Sequence, residues 1–502
     1  MRRALAATTV AMVLVLLTAL PASALSVLRT IPVASQPFGV AVGGGLVYVA
    51  NSGGSTVAVI DSASDTVVGS IAVGGGPGEI VVDGGRAYVG NFNDGTVSVV
   101  DTATRMTVAT LSPGGLGVAV DPELRRLYAT SGARLTVFDT DTLQPVATLT
   151  APVAGRWWAV AVDGATHRVY LGDLGGSGIT VVDGASNTIV TTIVIGSPIR
   201  FALAVDPATG RLATAGDTSA ATLSIVDTSS NTVINRTTVG DFPSHVVFDP
   251  SHRAVVTDLG SNDVTVVELA SMSVTRTSLG SKPAGLAFSG GQAYVALNGS
   301  NAVAVLGNSA PVVDSAIVSP AQPRTNDVLT ATVSAHDADG NPLTFGYQWT
   351  RNGADIATAT SAVLDLSLAG HGDRGDSIAV RVIANDGSLS SAPFTSGPVV
   401  ISDSPPQASV ALDPSTPTTK TLLVATATAS DPDADPLTFT YVWKVNGITK
   451  RTTVTAATSD SLDLGQPGNG NKGDVVEVEL TTSDGTLSSG LSSATVTVAR
   501  GH

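Results

Sequence analysis

Between residues 26 and 307 the chain alternates short apolar runs, rich in valine, isoleucine and alanine, with polar turn residues. The most regular run closes on an acid. TVAVID ends at Asp61, TVSVVD at Asp101, LTVFD at Asp139, ITVVD at Asp183, LSIVD at Asp227 and VTVVE at Glu268, and a degraded copy, AVAVLG, ends at Gly307. About ten residues earlier in each unit stands a second run, such as VYVAN at 47–51, AYVGN at 87–91 or AYVAL at 293–297. Before it comes a run with almost no bulk, such as FGVAV at 38–42, LGVAV at 116–120 or FALAV at 201–205, and a fourth, such as TVVGSIAV at 66–73, leads into a Gly/Pro turn. Runs of this length bounded by turn residues read as strands. Four of them in a unit of roughly 41 residues, repeated, predict a β-propeller. The glycine- and alanine-rich run is the innermost strand, where seven strands meet near one axis and larger side chains would collide.

The seventh unit has no fourth run after Gly307, while VLRTIPVASQPFG at 27–39 reads as a fourth strand followed by the first strand of the next unit. The N-terminal strand is therefore expected to pair into the last blade, closing the ring and removing its free edge. Beyond residue 308 the period changes. SAHDADGNPLTFGYQWTRNG at 334–353 aligns without gaps on TASDPDADPLTFTYVWKVNG at 428–447, and ANDGSLSS at 384–391 on TSDGTLSS at 482–489. Apolar and polar positions alternate between turn signals, which predicts two β-sandwiches, at 309–402 and 403–502, with Trp349 and Trp443 in their cores. The expected fold is all-β: a seven-bladed propeller over 25–308 with an N-terminal closing strand, followed by two Ig-like sandwiches.

The YVAN and YVGN strands, the following (S/T)-x-x-V-x-V-(I/V)-D run and the Pro-Gly turn resemble the YVTN family of propeller repeats, which includes YncE-like periplasmic proteins. The two tail repeats are similar to Ig-like, PKD-like and cadherin-like modules of bacterial surface proteins. Together these resemblances imply a component of a microbial surface layer.

Composition narrows the setting. Arg2 and Arg3, an apolar stretch at 10–20 and Ala22-Ser23-Ala24 form a signal-peptide pattern, so residues 1–24 are expected to be removed on export to a secreted, periplasmic or cell-surface location. No second stretch could span a bilayer. The absence of cysteine excludes disulfides, thiol catalysis and thiolate metal sites, and a net charge of -15 argues against nucleic acid as a partner.

Two groups of residues carry candidate chemistry. Asp337, Asp339 and Asn341 stand at alternate positions, as do Asp431, Asp433 and Asp435, with Asp386 and Asp484 in neighbouring loops. Clustered oxygen donors of this kind suit calcium, and the same residues also simply make turns. In the propeller, aligning the innermost strands brings Gly39, Glu79, Gly117, Ala159, Ala202, His245 and Gly285 to one level. Glu79 and His245 then face each other at the channel mouth, with Trp157, Trp158 and Arg200 nearby, a mixture suited to a small ligand or to acid/base catalysis. HExxH, GxSxG, P-loop and dinucleotide motifs are missing from the chain. Three readings follow: a surface binding or adhesion protein with a protein or glycan partner, a lyase- or lactonase-type enzyme using the channel mouth, and a self-associating envelope protein.

Overall fold

The computed structural model describes residues 25–152, 155–176, 178–216 and 221–500, so the signal-peptide reading of 1–24 lies outside the described residues. The chain divides into two compact units, Met1–Ser309 with Ala338–Asn341, and Ala310–Asp337 with Pro342–His502. Among the described residues the architecture is all-β, and no helix is long and apolar enough to cross a membrane.

The first unit contains seven four-stranded antiparallel sheets in a propeller-like arrangement. The first sheet runs Pro37–Gly43, Leu46–Asn51, Thr56–Asp61, Thr66–Ala72. The leading strands of the others begin at Pro77, Val118, Trp157, Leu203, Pro243 and Pro283. Each leading strand packs against that of the next sheet, and Pro283–Ser289 packs back against Pro37–Gly43, so the ring is closed. The approach is tight enough to require glycine: a Cβ on Gly39 would run into the Gly78 carbonyl, and one on Gly285 into the Phe38 carbonyl.

The seventh sheet takes its outer strand from the other end of the unit. Ser26–Pro32 pairs antiparallel with Ala302–Gly307, from Ser26 opposite Gly307 to Pro32 opposite Ala302. Ile31 packs in one apolar cluster with Val47 of the first sheet and Val303 of the seventh. Leu25 is buried beside Val264 and Leu306, and its carbonyl accepts the Thr277 hydroxyl at 2.6 Å. Arg29 pairs with Asp65, which also accepts the Tyr294 hydroxyl at 2.6 Å.

The repeated acid has a local task. Asp61 Oδ1 accepts the amides of Ala63 at 3.0 Å and Ser64 at 2.9 Å, closing a turn whose next residue, Asp65, sits at φ 52°. Asp101, Asp139, Asp183 and Asp227 cap their turns in the same way. These hydrogen bonds, led in Asp61 by the Ser64 amide, hold the carboxyls below their ordinary range.

The second unit holds two modules with separate apolar cores. In the first, Val312–Ser319, Val328–His336 and Val363–Asp365 form one sheet, and a second sheet is built around Thr344–Arg351 and Ser377–Asn385. In the second, Gln407–Asp413, Leu422–Ser430 and Ser459–Asp463 accompany a four-stranded sheet around Thr438–Val445 and Val475–Ser483. Trp349 and Trp443 are both fully buried, their indole N–H groups donating to Ser361 O at 2.9 Å and Asp460 Oδ2 at 2.8 Å.

Candidate functional site

The leading strands enter the ring through irregular pairing. Register shifts occur between Pro37 and Val40, Pro77 and Ile80, Trp157 and Ala159, and Pro243 and His245. An extra residue at such a bulge re-aims its neighbours, and Phe38, Glu79 and Trp158 at these positions line one cavity of about 410 Å³ at the channel mouth. Phe92, Arg200 and Phe201 complete its chemically distinctive lining. A second cavity of about 270 Å³, walled largely by valine, alanine and leucine of the leading strands, shares Glu79 and Phe201 with the first and adds His245.

The divide between the two cavities is a polar bridge within an aromatic layer. Glu79 Oε1 lies 2.7 Å from His245 Nε2, joining the second sheet to the sixth, and His245 Nδ1 lies 2.9 Å from Ser244 Oγ. The Phe201 ring stacks on the His245 imidazole at 5.8 Å, and Phe38 meets Phe201 edge-on at 5.1 Å. Trp158 continues the series, 5.6 Å from Phe201 and 5.8 Å from Phe92. The Arg200 guanidinium sits 5.2 Å above the Trp158 ring, within cation–π range.

Glu79, Trp158 and Arg200 line the first cavity, and His245 joins Glu79 at the second. Trp157 borders neither. Its side chain is fully buried, packs with Tyr128 and Leu171, and donates its indole N–H to Thr180 Oγ1 at 3.1 Å. The two adjacent indoles alternate faces along their strand, Trp157 buried and Trp158 partly buried at the cavity. Phe38, Phe92 and Phe201 were not anticipated. Phe38, Trp158 and Phe201 each stand one position before the aligned level of Gly39, Ala159 and Ala202, so the signal for two of them lay in that preceding column.

The histidines of the ring all serve as partners for carboxylates of other sheets. His167 Nδ1 lies 2.8 Å from Asp121 Oδ2 and His252 Nδ1 2.8 Å from Asp206 Oδ2, matching the His245 bridge. The Asp121 hydrogen bond raises the His167 pKa above its ordinary value. Ser244, His245 and Glu79 have the connectivity of a hydrolytic triad, but Ser244 is only 5% exposed and borders neither cavity.

The candidate calcium residues do not gather into a ligand set. Asp339 Oδ2 accepts the Ser309 amide at 2.6 Å, and Asn341 Nδ2 donates to Asn308 Oδ1 at 2.7 Å. Asp386 and Asp484 cap turns through the amides of Leu389 and Leu487, each at 2.6 Å. Asp431 Oδ1 receives the Asp433 amide at 2.8 Å, Asp433 receives the Ser404 amide at 2.7 Å and the Thr325 hydroxyl, and Asp435 pairs with Arg374. Asp337 lies in the second unit, one residue before the segment that carries Asp339. Among the described residues no three acidic or histidine side chains converge as a metal site. The physical reason is that these carboxylates turn toward amides, hydroxyls and one guanidinium. The Arg374-Gly375-Asp376 tripeptide is engaged as well, Arg374 with Asp403 at 2.6 Å and Asp376 with Arg351 at 2.7 Å.

No family model and no curated protein matches the chain. Among solved structures, a chain of the hydrazine synthase of Kuenenia stuttgartiensis is similar at 18% identity, over 54% of this chain and 95% of that one, with a TM-score of 0.50. At that identity the likeness is one of fold.

Proposed function

We propose that the chain is an exported binding protein in which a seven-bladed, YVTN-type propeller holds a small ligand at its channel mouth and two Ig-like modules act as spacers at the cell surface. The mouth cavity is the observation that carries this reading. Aromatic residues are only 4% of the chain, yet four of them, Phe38 and Trp158 on leading strands and Phe92 and Phe201 in loops beside strands, line this one cavity beside a carboxylate and a guanidinium. Phe92 is 54% exposed and stands beside Trp158 on the cavity lining, where its ring is accessible to a ligand. The signal-peptide pattern of residues 1–24 and the resemblance of the tail to surface modules supply the location. A screen of glycans and small molecules against the purified full chain tests the reading: authentic ligands should lose at least tenfold in affinity in Phe92→Ala. Binding that ignores both Phe92→Ala and Glu79→Gln would sink it.

The Ser244–His245–Glu79 connectivity favours a second reading, a lyase or hydrolase acting at the same mouth. The burial of Ser244 leaves Glu79 and His245 as the only members able to meet a substrate. A turnover that disappears in Glu79→Gln, with folding retained, would promote this reading over the first.

A further inference from the structure

We infer that the mouth is shaped for a planar nitrogen heterocycle presenting an N–H or amino edge, an inference that rests on the mouth being a binding site at all. The rings of Phe92, Trp158, Phe201 and Phe38 form one continuous series across the mouth, each centroid within 5.8 Å of the next. Such a series, its rings tilted or edge-on to one another, offers aromatic surface against which a flat ring can pack. The same cavity is lined by Gly76, Gly78 and Gly115, whose bare peptide groups leave room for a ring to lie against the aromatics. Gly78 is informative because the fold does not demand it: a Cβ there would meet nothing closer than the Gly90 carbonyl at 3.8 Å.

Polarity narrows the class further. Glu79 engages His245 through Oε1 and lines the cavity, so its carboxylate is the acceptor that a ligand there would meet. A ring N–H or exocyclic amine satisfies that acceptor, whereas an anion set against Glu79 would be repelled and could be favoured only from the Arg200 side of the same lining. A sugar would need a polar partner for most of its hydroxyls, and the uncharged polar side chains of the lining are only Gln36, Ser52 and Asn93. A volume of about 410 Å³ is at the lower end for ligand cavities, which suits a one- or two-ring compound with a small substituent.

The molecule carries its own reporter. Of its four tryptophans, Trp157, Trp349 and Trp443 are fully buried, and Trp158 alone borders the cavity. Titrating the full chain with guanosine, benzoate and cellobiose separates an N–H-edged ring, a flat ring without that edge and a non-planar sugar. Guanosine should quench tryptophan fluorescence saturably and bind at least tenfold tighter than the other two. Glu79→Gln and Gly78→Leu should each weaken it tenfold or more, with calorimetry of Trp158→Phe as a control on the optical signal. Preference for benzoate or cellobiose, lost in Phe92→Ala, keeps the site and overturns the ligand class. No quenching by any of the three at millimolar concentration also overturns the class. Guanosine binding indifferent to Gly78→Leu and Phe92→Ala overturns both the class and the site.

Discussion

In the ring, Asp61, Asp101, Asp139, Asp183 and Asp227 each close a turn of their own sheet. In the tandem modules, Asp433 and Asp435 instead take their donors from Thr325, Arg374 and Ser404, up to 108 residues away. The first use is local, so it repeats with the unit and shows in the chain as a period. The second depends on what lies at the joint between modules, so two nearly identical acidic loops acquire different partners. Runs of alternating aspartates therefore say little about ions until the donors around them are known.

The sharpest way to break the comparison is at the closure of the ring. If the ring is one cooperative unit and the modules stand on their own cores, deleting residues 26–32 should damage only the ring. Ile31 alone is 5% exposed and Leu25, at the lip of the deletion, 6%, so losing their burial costs roughly 3–6 kcal/mol before any strand pairing is counted. The ring's Tm should fall by about 10 °C, with the modules' transition unmoved in calorimetry. A deletion that leaves the ring's transition in place would mean that Ser26–Pro32 is an ornament rather than a closure.

A second test uses an acid that breaks the ring's own pattern. AVVTD at 254–258 stands where VYVAN and AYVGN put the buried amides Asn51 and Asn91. Asp258 is fully buried, and desolvation, aided by the neighbouring Asp263, pushes its pKa up to about 7 against a donated hydrogen bond from Thr265. A carboxyl whose folded pKa is raised favours the protonated fold. Its contribution is complete below about pH 4 and is lost as pH rises through 7. The turn-capping acids have the opposite sign, supporting the fold above their usual range and losing that support in acid. Asp258→Asn should raise the ring's Tm above pH 7 and flatten its fall between pH 4 and 7. Parallel melting curves for the two proteins over that range would refute the assignment.

Much of the ring was legible because its cause is periodic. Innermost strands lack side chains wherever a neighbouring backbone passes close, as at Gly39 and Gly285, and the chain displays that as a column of small residues. The mouth was legible only in part. Glu79 and His245 could be aligned from opposite sheets, but neighbours on one strand could not be assigned a side. Ordinary alternation sets Trp157 and Trp158 on opposite faces but does not say which of the two meets the cavity. Phe92 reaches the cavity from the loop after Arg86–Asn91, outside any strand alignment. In the modules, Trp349 and Trp443 were readable as core residues from their alternation, whereas the pairing of Arg374 with Asp403 and Asp435, 29 and 61 residues further along, leaves no periodic trace in the chain.

The smallest effect tests whether that arginine fills the place of a cation. Arg374 bridges Asp403 and Asp435, and its charge also reaches Asp484. Asp431 Oδ2 and Asp484 Oδ2 are buried without a hydrogen-bond partner among the described residues, so the local charge is strongly negative apart from the guanidinium. Arg374 is 43% exposed, and exposed pairs contribute little, so Arg374→Ala should lower the modules' Tm by only about 2 °C. Its more telling consequence is ionic. With the guanidinium in place, millimolar calcium should leave the melting of the unsubstituted chain almost unchanged. Without it, the freed carboxylates resemble an oxygen-rich calcium site, and the same calcium should restore what the substitution removed, as expected for an ion that binds only the folded form. Equal calcium shifts in the two proteins would show that the ion and the arginine do not compete, and that the two acidic loops differ for some reason other than charge.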